Sequence, residues 1–132
     1  MNQIKDPVIL HIIEQAKGLV PGDQPFYAEI PEDAVPEILT INGAHALGYL
    51  IDPRGDFVVR VGSVVSPTTT EAFNKSGYAR RRRLMEERDM IRDGILTEDE
   101  IFESRHYAAC VIGGDLRSAR AWRRPTSSDP KV

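Results

Sequence analysis

The sequence has very little cysteine and no long apolar run. Cys110 is the one cysteine among 132 residues, so no disulfide within the chain is possible and we expect a reducing compartment. The longest apolar stretches reach five or six residues, far below the ~20 of a transmembrane helix. The first residues also lack the basic and then apolar pattern of a signal peptide. We therefore expect a soluble, cytoplasmic protein that makes no membrane contact.

Recognisable catalytic and metal-binding motifs are also missing. The sequence contains no Walker loop, no G-x-S-x-G elbow and no G-x-G-x-x-G fingerprint. The histidines, His11, His45 and His106, lack the short spacing of metal ligands. His106 and Cys110 are four residues apart on a predicted helix, but Cys110 stands among small and branched apolar residues typical of a core. We expect no cofactor, no metal and no catalytic residue, which favours a protein that is not an enzyme.

What is present resembles an ordinary small globular domain. Apolar residues make up 41% and charged residues 28% of the chain, values typical of a soluble domain with its own core. Helices are predicted at 6–18, at 77–93 with Gly94 as C-cap, and at 104–113. A capping-box pattern predicts one more helical turn at 97–100.

Strands are predicted by alternation and turn residues. The clearest pair is 46–51 and 57–61, which reads as a β-hairpin. A shorter strand is predicted at 26–30, and a C-terminal strand at 119–124 carries Trp122. The fold class is therefore α+β: a small single domain with a β-hairpin, two or three helices and a C-terminal strand. The predicted organisation is an N-terminal helix and proline-rich connecting extension over 1–40, the α+β domain over 41–124 and a flexible tail over 125–132.

Charge is distributed unevenly along the chain. Residues 1–74 hold 4 basic and 10 acidic side chains, whereas residues 75–132 hold 13 basic and 10 acidic ones. A basic half of this kind is typical of a protein with an anionic partner. The alternative is that the two halves fold together and neutralise each other.

Two arginine clusters are the candidate binding residues. Four consecutive arginines on a helix spread over about 300° of its circumference, so some of them must face water or a partner. Guanidinium groups suit phosphate because they offer forked, permanently charged donors. The alternative is i,i+4 pairing of Arg82 with Glu86 and of Arg83 with Glu87. The candidate nucleic-acid-binding residues are Arg80, Arg81, Arg82, Arg83, Arg117, Arg120, Arg123 and Arg124.

The second cluster surrounds the single tryptophan. Arginines interleaved with an aromatic side chain can bind phosphates and stack on bases. On a strand, Arg120, Trp122 and Arg124 would share one face. The alternative, which burial tendencies favour for Trp122, is a core anchor with arginine stems packed beside it.

An ordered set of landmarks runs from about residue 41 to 124. The set comprises Gly43-Ala-His-Ala-Leu-Gly-Tyr49, Phe57-Val-Val-Arg-Val-Gly-Ser63, Ile91-Arg-Asp-Gly-Ile-Leu96, Phe102-Glu-Ser104, Ala108-Ala109, Gly113-Gly114 and Trp122. It resembles an uncharacterised domain found C-terminal to GIY-YIG nuclease domains, and the related domain that accompanies restriction enzymes and adenine methyltransferases. The resemblance implies a role in restriction, modification or another DNA transaction.

These observations together predict a non-enzymatic binding module that contacts DNA. Its mechanism would be phosphate contact with little base readout. The alternative is a protein-interaction module without nucleic-acid affinity. In that case the predicted helix over 6–17 forms a homodimer or docks on a nuclease or methyltransferase partner.

Overall fold

The computed structural model describes residues 26–125 together with Pro7, Ile9 and Ile12. Pro7, Ile9 and Ile12 are helical, in agreement with the predicted first helix. The rest of that predicted helix, and the predicted tail beyond Pro125, lie outside the described residues.

Between residues 26 and 125 the chain forms six strands and three α-helices, which confirms the α+β class. The strands are β1 (Pro36–Ile41), β2 (Ala44–Leu50), β3 (Phe57–Val59), β4 (Ile91–Arg92), β5 (Ile95–Leu96) and β6 (Glu100–Phe102). The helices are α1 (Glu71–Asn74), α2 (Gly77–Glu87) and α3 (Arg105–Gly113), followed by a 3-10 helix, Leu116–Arg120. An antiparallel sheet has the order β1-β2-β3-β6, and β4 and β5 form a separate pair. Within the described part of the chain, no helix combines the length and the apolar content needed to cross a bilayer.

The predicted hairpin is present as β2 and β3, but the strand before it was missed. β1 pairs with β2 through a two-residue turn, because Ile41 is opposite Ala44. Asn42 and Gly43 fill this turn at φ 54° and 84°, the positive values that a type I′ turn requires. Gly48 on β2 faces the ring of Phe57, and a Cβ there would lie 2.3 Å from Cε2 of that ring.

The predicted helix over 77–93 is shorter than expected. α2 ends at Glu87, where Met90 N–H donates to the carbonyl of Met85 and Asp89 adopts φ 61°. This 6→1 bond with a left-handed residue is the Schellman stop. Gly94 is not a helix cap: with Asp93 it forms the turn between β4 and β5.

Two further predictions were wrong around Asp99. Residues 97–100 form no helical turn, because Glu100–Phe102 continues the sheet beside β3. Residues 26–30 form no strand. Instead, the buried carboxylate of Asp99 accepts the backbone N–H groups of Ala28 (2.7 Å) and Val61 (2.8 Å). A buried carboxylate thus ties this segment to the sheet in place of strand pairing.

The third predicted helix is confirmed at both ends. Ser104 Oγ accepts the N–H of Tyr107 at 3.0 Å, and Gly114 ends the helix at φ 66°. The predicted C-terminal strand is reduced to a single antiparallel bridge, in which Arg123 and Ile38 exchange both backbone hydrogen bonds (2.7 and 2.8 Å). Residues 116–120 are 3-10 helix because the Asp115 side chain caps the N–H of Arg117.

The sheet has a buried cluster on each face. On one face Leu39, Phe57 and Phe102 pack with the small residues of α3 and with Trp122. On the other face Ile38 and Leu47 pack with Ile9 and Ile12. Alternation along β1 explains this division, because Ile38 and Leu39 point to opposite faces.

Candidate functional site

The four arginines of α2 divide into an inward pair and an outward pair. Arg81 Nη2 donates to Glu100 Oε1 at 2.7 Å and to the carbonyl of Ile101 at 2.8 Å. Its guanidinium also lies 4.4 Å from the centre of the Phe102 ring. Burial raises the pKa of Glu100, and the ion pair with Arg81 opposes that rise. Arg81 therefore attaches α2 to the edge strand β6.

Arg82 is the most deeply buried of the four, with 7% of its surface exposed. Its Nη2 donates to the carbonyl of Ser66, whereas Nη1 has no hydrogen-bond partner among the described residues. Burial lowers the pKa of Arg82, and the negative charge of Glu86 opposes this shift. An arginine remains charged despite such a shift, so the fold holds a buried cation with one donor edge unused.

Arg82 also lines a groove of about 280 Å³. We call it the arginine groove; its lining residues are Pro67, Thr69, Phe73, Asn74, Ala79, Arg82, Arg83 and Glu86. The loop that precedes α1 closes one side, because Thr70 N–H donates to the carbonyl of Gly114 at 3.0 Å. A Cβ at Gly114 would lie 2.9 Å from Arg82 Nη1, so glycine is required for this close packing.

Arg80 and Arg83 are exposed, and neither forms an ion pair with a described residue. The i,i+4 pairs of Arg82 with Glu86 and of Arg83 with Glu87 are not formed among the described ion pairs. Arg83 shares the arginine groove with Arg82, whereas Arg80 does not line it. The basic helix therefore presents two arginines outward and uses two within the fold.

Trp122 is a core residue, as burial tendencies favoured. It is 7% exposed, its ring centre lies 4.7 Å from that of Phe57, and its Nε1 donates to the carbonyl of Arg105 at 2.8 Å. The indole is therefore not available for stacking on a base. It positions Arg105 at the start of α3, next to the segment that carries Arg123 and Arg124.

These arginines line a second groove of about 420 Å³ beside β1. We call it the sheet-edge groove; its lining residues are Val35, Glu37, Leu50, Arg105, Trp122, Arg123 and Arg124. Arg105 forms an ion pair with Glu37, the one carboxylate among these lining residues. Three arginines and one carboxylate are thus the charged residues that line this groove in the described part of the chain. Arg105 was not among the predicted binding residues, since a lone arginine after a capping serine carries no sequence signal.

Arg117 and Arg120 line neither groove. Arg117 donates through Nη2 (3.1 Å) and Nε (3.4 Å) to the carboxylate of Asp115. The hydrogen bonds from the Arg117 side chain and backbone lower the pKa of Asp115. Arg120 is exposed at the end of the 3-10 helix. The predicted common face of Arg120, Trp122 and Arg124 was wrong because no regular strand forms there.

The remaining chemistry-bearing residues form no site in the described part of the chain. Cys110 is buried, its Sγ lies 3.7 Å from the carbonyl oxygen of Leu116, and burial raises the pKa of its thiol. A raised pKa disfavours the thiolate that a nucleophile needs. The described residues contain no group of three or more histidine, cysteine, aspartate or glutamate side chains placed to hold a metal ion.

A family model described as a domain of unknown function, DUF4357, matches residues 38–128. The match covers the helices α1 to α3, the sheet except for the first two residues of β1, and both grooves except Val35 and Glu37. No curated protein and no solved structure matches the chain significantly.

Proposed function

Because the chain belongs to the DUF4357 family, whose description assigns no activity, we propose from its surface chemistry that it is a non-enzymatic module that binds DNA phosphates. The observation that carries the proposal is the sheet-edge groove, where Arg105, Arg123 and Arg124 lie together with one carboxylate. Guanidinium groups bind phosphate oxygens with forked donors and keep their charge. Phosphate contacts position a protein on DNA without reading its sequence.

The arginines of the groove come from two segments that the fold holds rigidly. Arg105 begins α3, and the Trp122 indole is bonded to its carbonyl. Arg123 is bridged to Ile38 of β1 through the backbone. A site built on such elements loses little conformational entropy when it binds. Arg80, Arg83 and Arg120 add exposed positive charge elsewhere on the chain and would strengthen the attraction of DNA at low salt.

The biological setting belongs to this proposal as well. The resemblance to domains found with GIY-YIG nucleases, restriction enzymes and adenine methyltransferases favours a module that holds DNA for such an enzyme. Binding through phosphates would leave base recognition and chemistry to the partner. We therefore expect affinity for duplex DNA with little dependence on sequence.

The test is fluorescence anisotropy of labelled duplex DNA, single-stranded DNA and RNA at ~50 and ~200 mM salt. The wild type is compared with Arg123→Ala/Arg124→Ala. A matched control, Arg54→Ala/Arg88→Ala, removes the same charge from exposed positions that line neither groove. We expect duplex binding that falls steeply with salt, with a salt slope reduced by roughly 2 in the groove variant only.

Two results would contradict the proposal. One is absence of binding by the wild type to any of these nucleic acids at both salt concentrations. The other is equal weakening by the groove variant and the control, which would mean that net charge and not the groove governs binding. Circular dichroism of each variant establishes that it is folded.

A protein-interaction function has one observation in its favour. Val35 and Leu50 are 47% and 45% exposed, and they line both the sheet-edge groove and a neighbouring groove that contains Asp33 and Asp52. Exposed apolar residues between opposite charges are typical of a contact surface. By contrast, Ile9 and Ile12 are buried within this chain, so their faces are not exposed for a partner. A mass by light scattering that rises with concentration in the wild type, but not in Leu50→Glu, would favour this function.

A further inference from the structure

The arginine groove is built differently from the sheet-edge groove and shares no lining residue with it. Its lining includes the buried Arg82, whose guanidinium donates to the carbonyl of Ser66 through Nη2 and has no hydrogen-bond partner at Nη1 among the described residues. Buried charged groups are normally paired, because burying an unpaired charge is unfavourable. No carboxylate of the described chain forms an ion pair with this guanidinium. The remaining donor edge therefore lacks the acceptor that would satisfy it.

The other polar residues of the groove are mostly donors. Thr69 contributes a hydroxyl, Asn74 an amide and Arg83 an exposed guanidinium, none of which has a side-chain hydrogen bond within the described chain. Glu86 is the one acidic residue among the lining residues. Two permanent cations and two neutral donors against a single carboxylate suit a ligand with several acceptor oxygens. A volume of about 280 Å³ is just below the range of pockets for drug-sized ligands, so the ligand is small.

We propose that the arginine groove binds a phosphate group, with Arg82 and Arg83 as its cationic donors and Thr69 and Asn74 as neutral ones. The phosphate can belong to a DNA backbone or to a free phosphate monoester, since both present the same oxygens. The site is independent of the sheet-edge groove, so it goes beyond the proposed function. Arg82 would contribute its positive charge from the buried side of the groove, whereas Arg83 is exposed.

The test uses the full-length ¹⁵N-labelled chain and inorganic phosphate as the probe, titrated at constant ionic strength against chloride. We expect saturable shifts with a Kd near or below about 1 mM. The shifts should centre on the amides of Thr69 and Asn74 and on the Nε–H signal of Arg82. Arg83→Ala should weaken binding about tenfold, and Thr69→Val about threefold.

Arg80→Ala is the matched control. Arg80 and Arg83 are both exposed on α2 without ion pairs, but only Arg83 lines the groove. We expect Arg80→Ala to stay within about twofold of the wild type, because an exposed charge outside a site acts only through screened attraction. Equal weakening by Arg80→Ala and Arg83→Ala would overturn the proposal, and so would shifts that never saturate.

Two further probes identify the source of the phosphate. Thymidine 5′-monophosphate carries a monoester, and the dinucleotide TpT without terminal phosphates carries only a diester. Comparable affinities would assign the groove to a nucleic-acid backbone, whereas a preference for the monophosphate of tenfold or more would assign it to a free monoester. Phosphate binding in Arg123→Ala/Arg124→Ala separates this site from the sheet-edge groove, because that variant should lose DNA affinity and keep the phosphate-induced shifts.

Discussion

The indole N–H of Trp122 donates to the carbonyl oxygen of Arg105 at 2.8 Å. This bond joins the core to the start of α3, because the same ring packs on Phe57 of the sheet. Trp122, which the sequence suggested as a residue for stacking on bases, therefore lies in the core below the arginines. It fixes the backbone from which Arg105 extends.

Trp122→Phe tests this role. The substitution keeps an aromatic ring but removes the indole donor to the carbonyl of Arg105, so we expect a loss of about 1–3 kcal/mol in the free energy of unfolding. Urea denaturation measures this loss. A variant as stable as the wild type would contradict the role assigned to the indole bond. DNA anisotropy on the same variant tells whether the placement of Arg105 matters for binding.

The two pairs of arginines on α2 should differ in their contribution to stability. We expect Arg80→Ala/Arg83→Ala to change the free energy of unfolding by no more than about 0.5 kcal/mol, because both side chains are exposed without ion pairs. Arg81→Ala/Arg82→Ala should cost about 3 kcal/mol or more, since it leaves the partly buried Glu100 and the carbonyl of the buried Ser66 without these partners. Urea midpoints of the two double variants give the comparison, and equal losses would contradict it.

The Arg81–Glu100 pair predicts a dependence of stability on pH. Burial raises the pKa of Glu100, so this carboxylate binds a proton more readily in the folded state than in the unfolded state. The contribution of Glu100 to the free energy of unfolding is therefore fully present below the pKa that this group has in the unfolded state. It is lost as the pH rises through the higher pKa of the folded state. Without Arg81 the pKa of Glu100 rises further. We therefore expect Arg81→Ala to be less stable than the wild type by about 2 kcal/mol at about pH 7, with a smaller deficit at about pH 4.5.

Denaturant titrations at both pH values measure that difference. The control is Arg81→Ala/Glu100→Gln, which has no titrating group at this position, so its deficit should not narrow towards acid pH. A deficit of Arg81→Ala that is equal at the two pH values would show that Glu100 does not depend on Arg81 for its charge.

Gly48→Ala should disrupt the sheet. The added Cβ would lie 2.3 Å from Cε2 of Phe57 and 3.0 Å from the carbonyl oxygen of Val58. The Phe57 ring is fully buried and cannot move without disturbing Trp122. We expect a loss of about 1–3 kcal/mol, measured by thermal or urea unfolding. Gly77→Ala serves as the control because no atom lies within 4 Å of a Cβ there.

Local signals in the sequence were enough for the capped helix and the hairpin. Ser104 and Gly114 bound α3 as predicted, because caps act within a few residues. Asn42-Gly43 also carries a turn signal, but the strand before it begins with Pro36, and residues up to 40 are predicted as a helix and a proline-rich connecting extension. Asp93-Gly94 could serve as a helix end or as a hairpin turn. Asp89, at φ 61°, had already ended α2, and this left Asp93-Gly94 to form the turn.

The roles of the arginines could not be predicted in the same way. Arg81 and Arg82 differ from Arg80 and Arg83 only through partners far along the chain, such as Glu100 and Ser66. Periodicity gives the direction of a side chain around its helix but not what the fold places there. Both grooves are likewise made by distant segments, so their lining residues carry no common motif.

The bridge between Ile38 and Arg123 has a consequence for how the protein behaves at high concentration. β1 is the outer strand of the sheet, and an outer strand with open backbone groups can recruit strands from other molecules. Here the outer edge begins with Pro36, which has no N–H to offer, and both backbone groups of Ile38 are already bonded to Arg123. The segment after the 3-10 helix, which contains Arg123, thus protects the outer edge of β1 from pairing with strands of other molecules. A chain truncated before Trp122 would lack this segment and the indole, so the edge of β1 and part of the apolar core would be exposed. We expect such a truncated chain to aggregate.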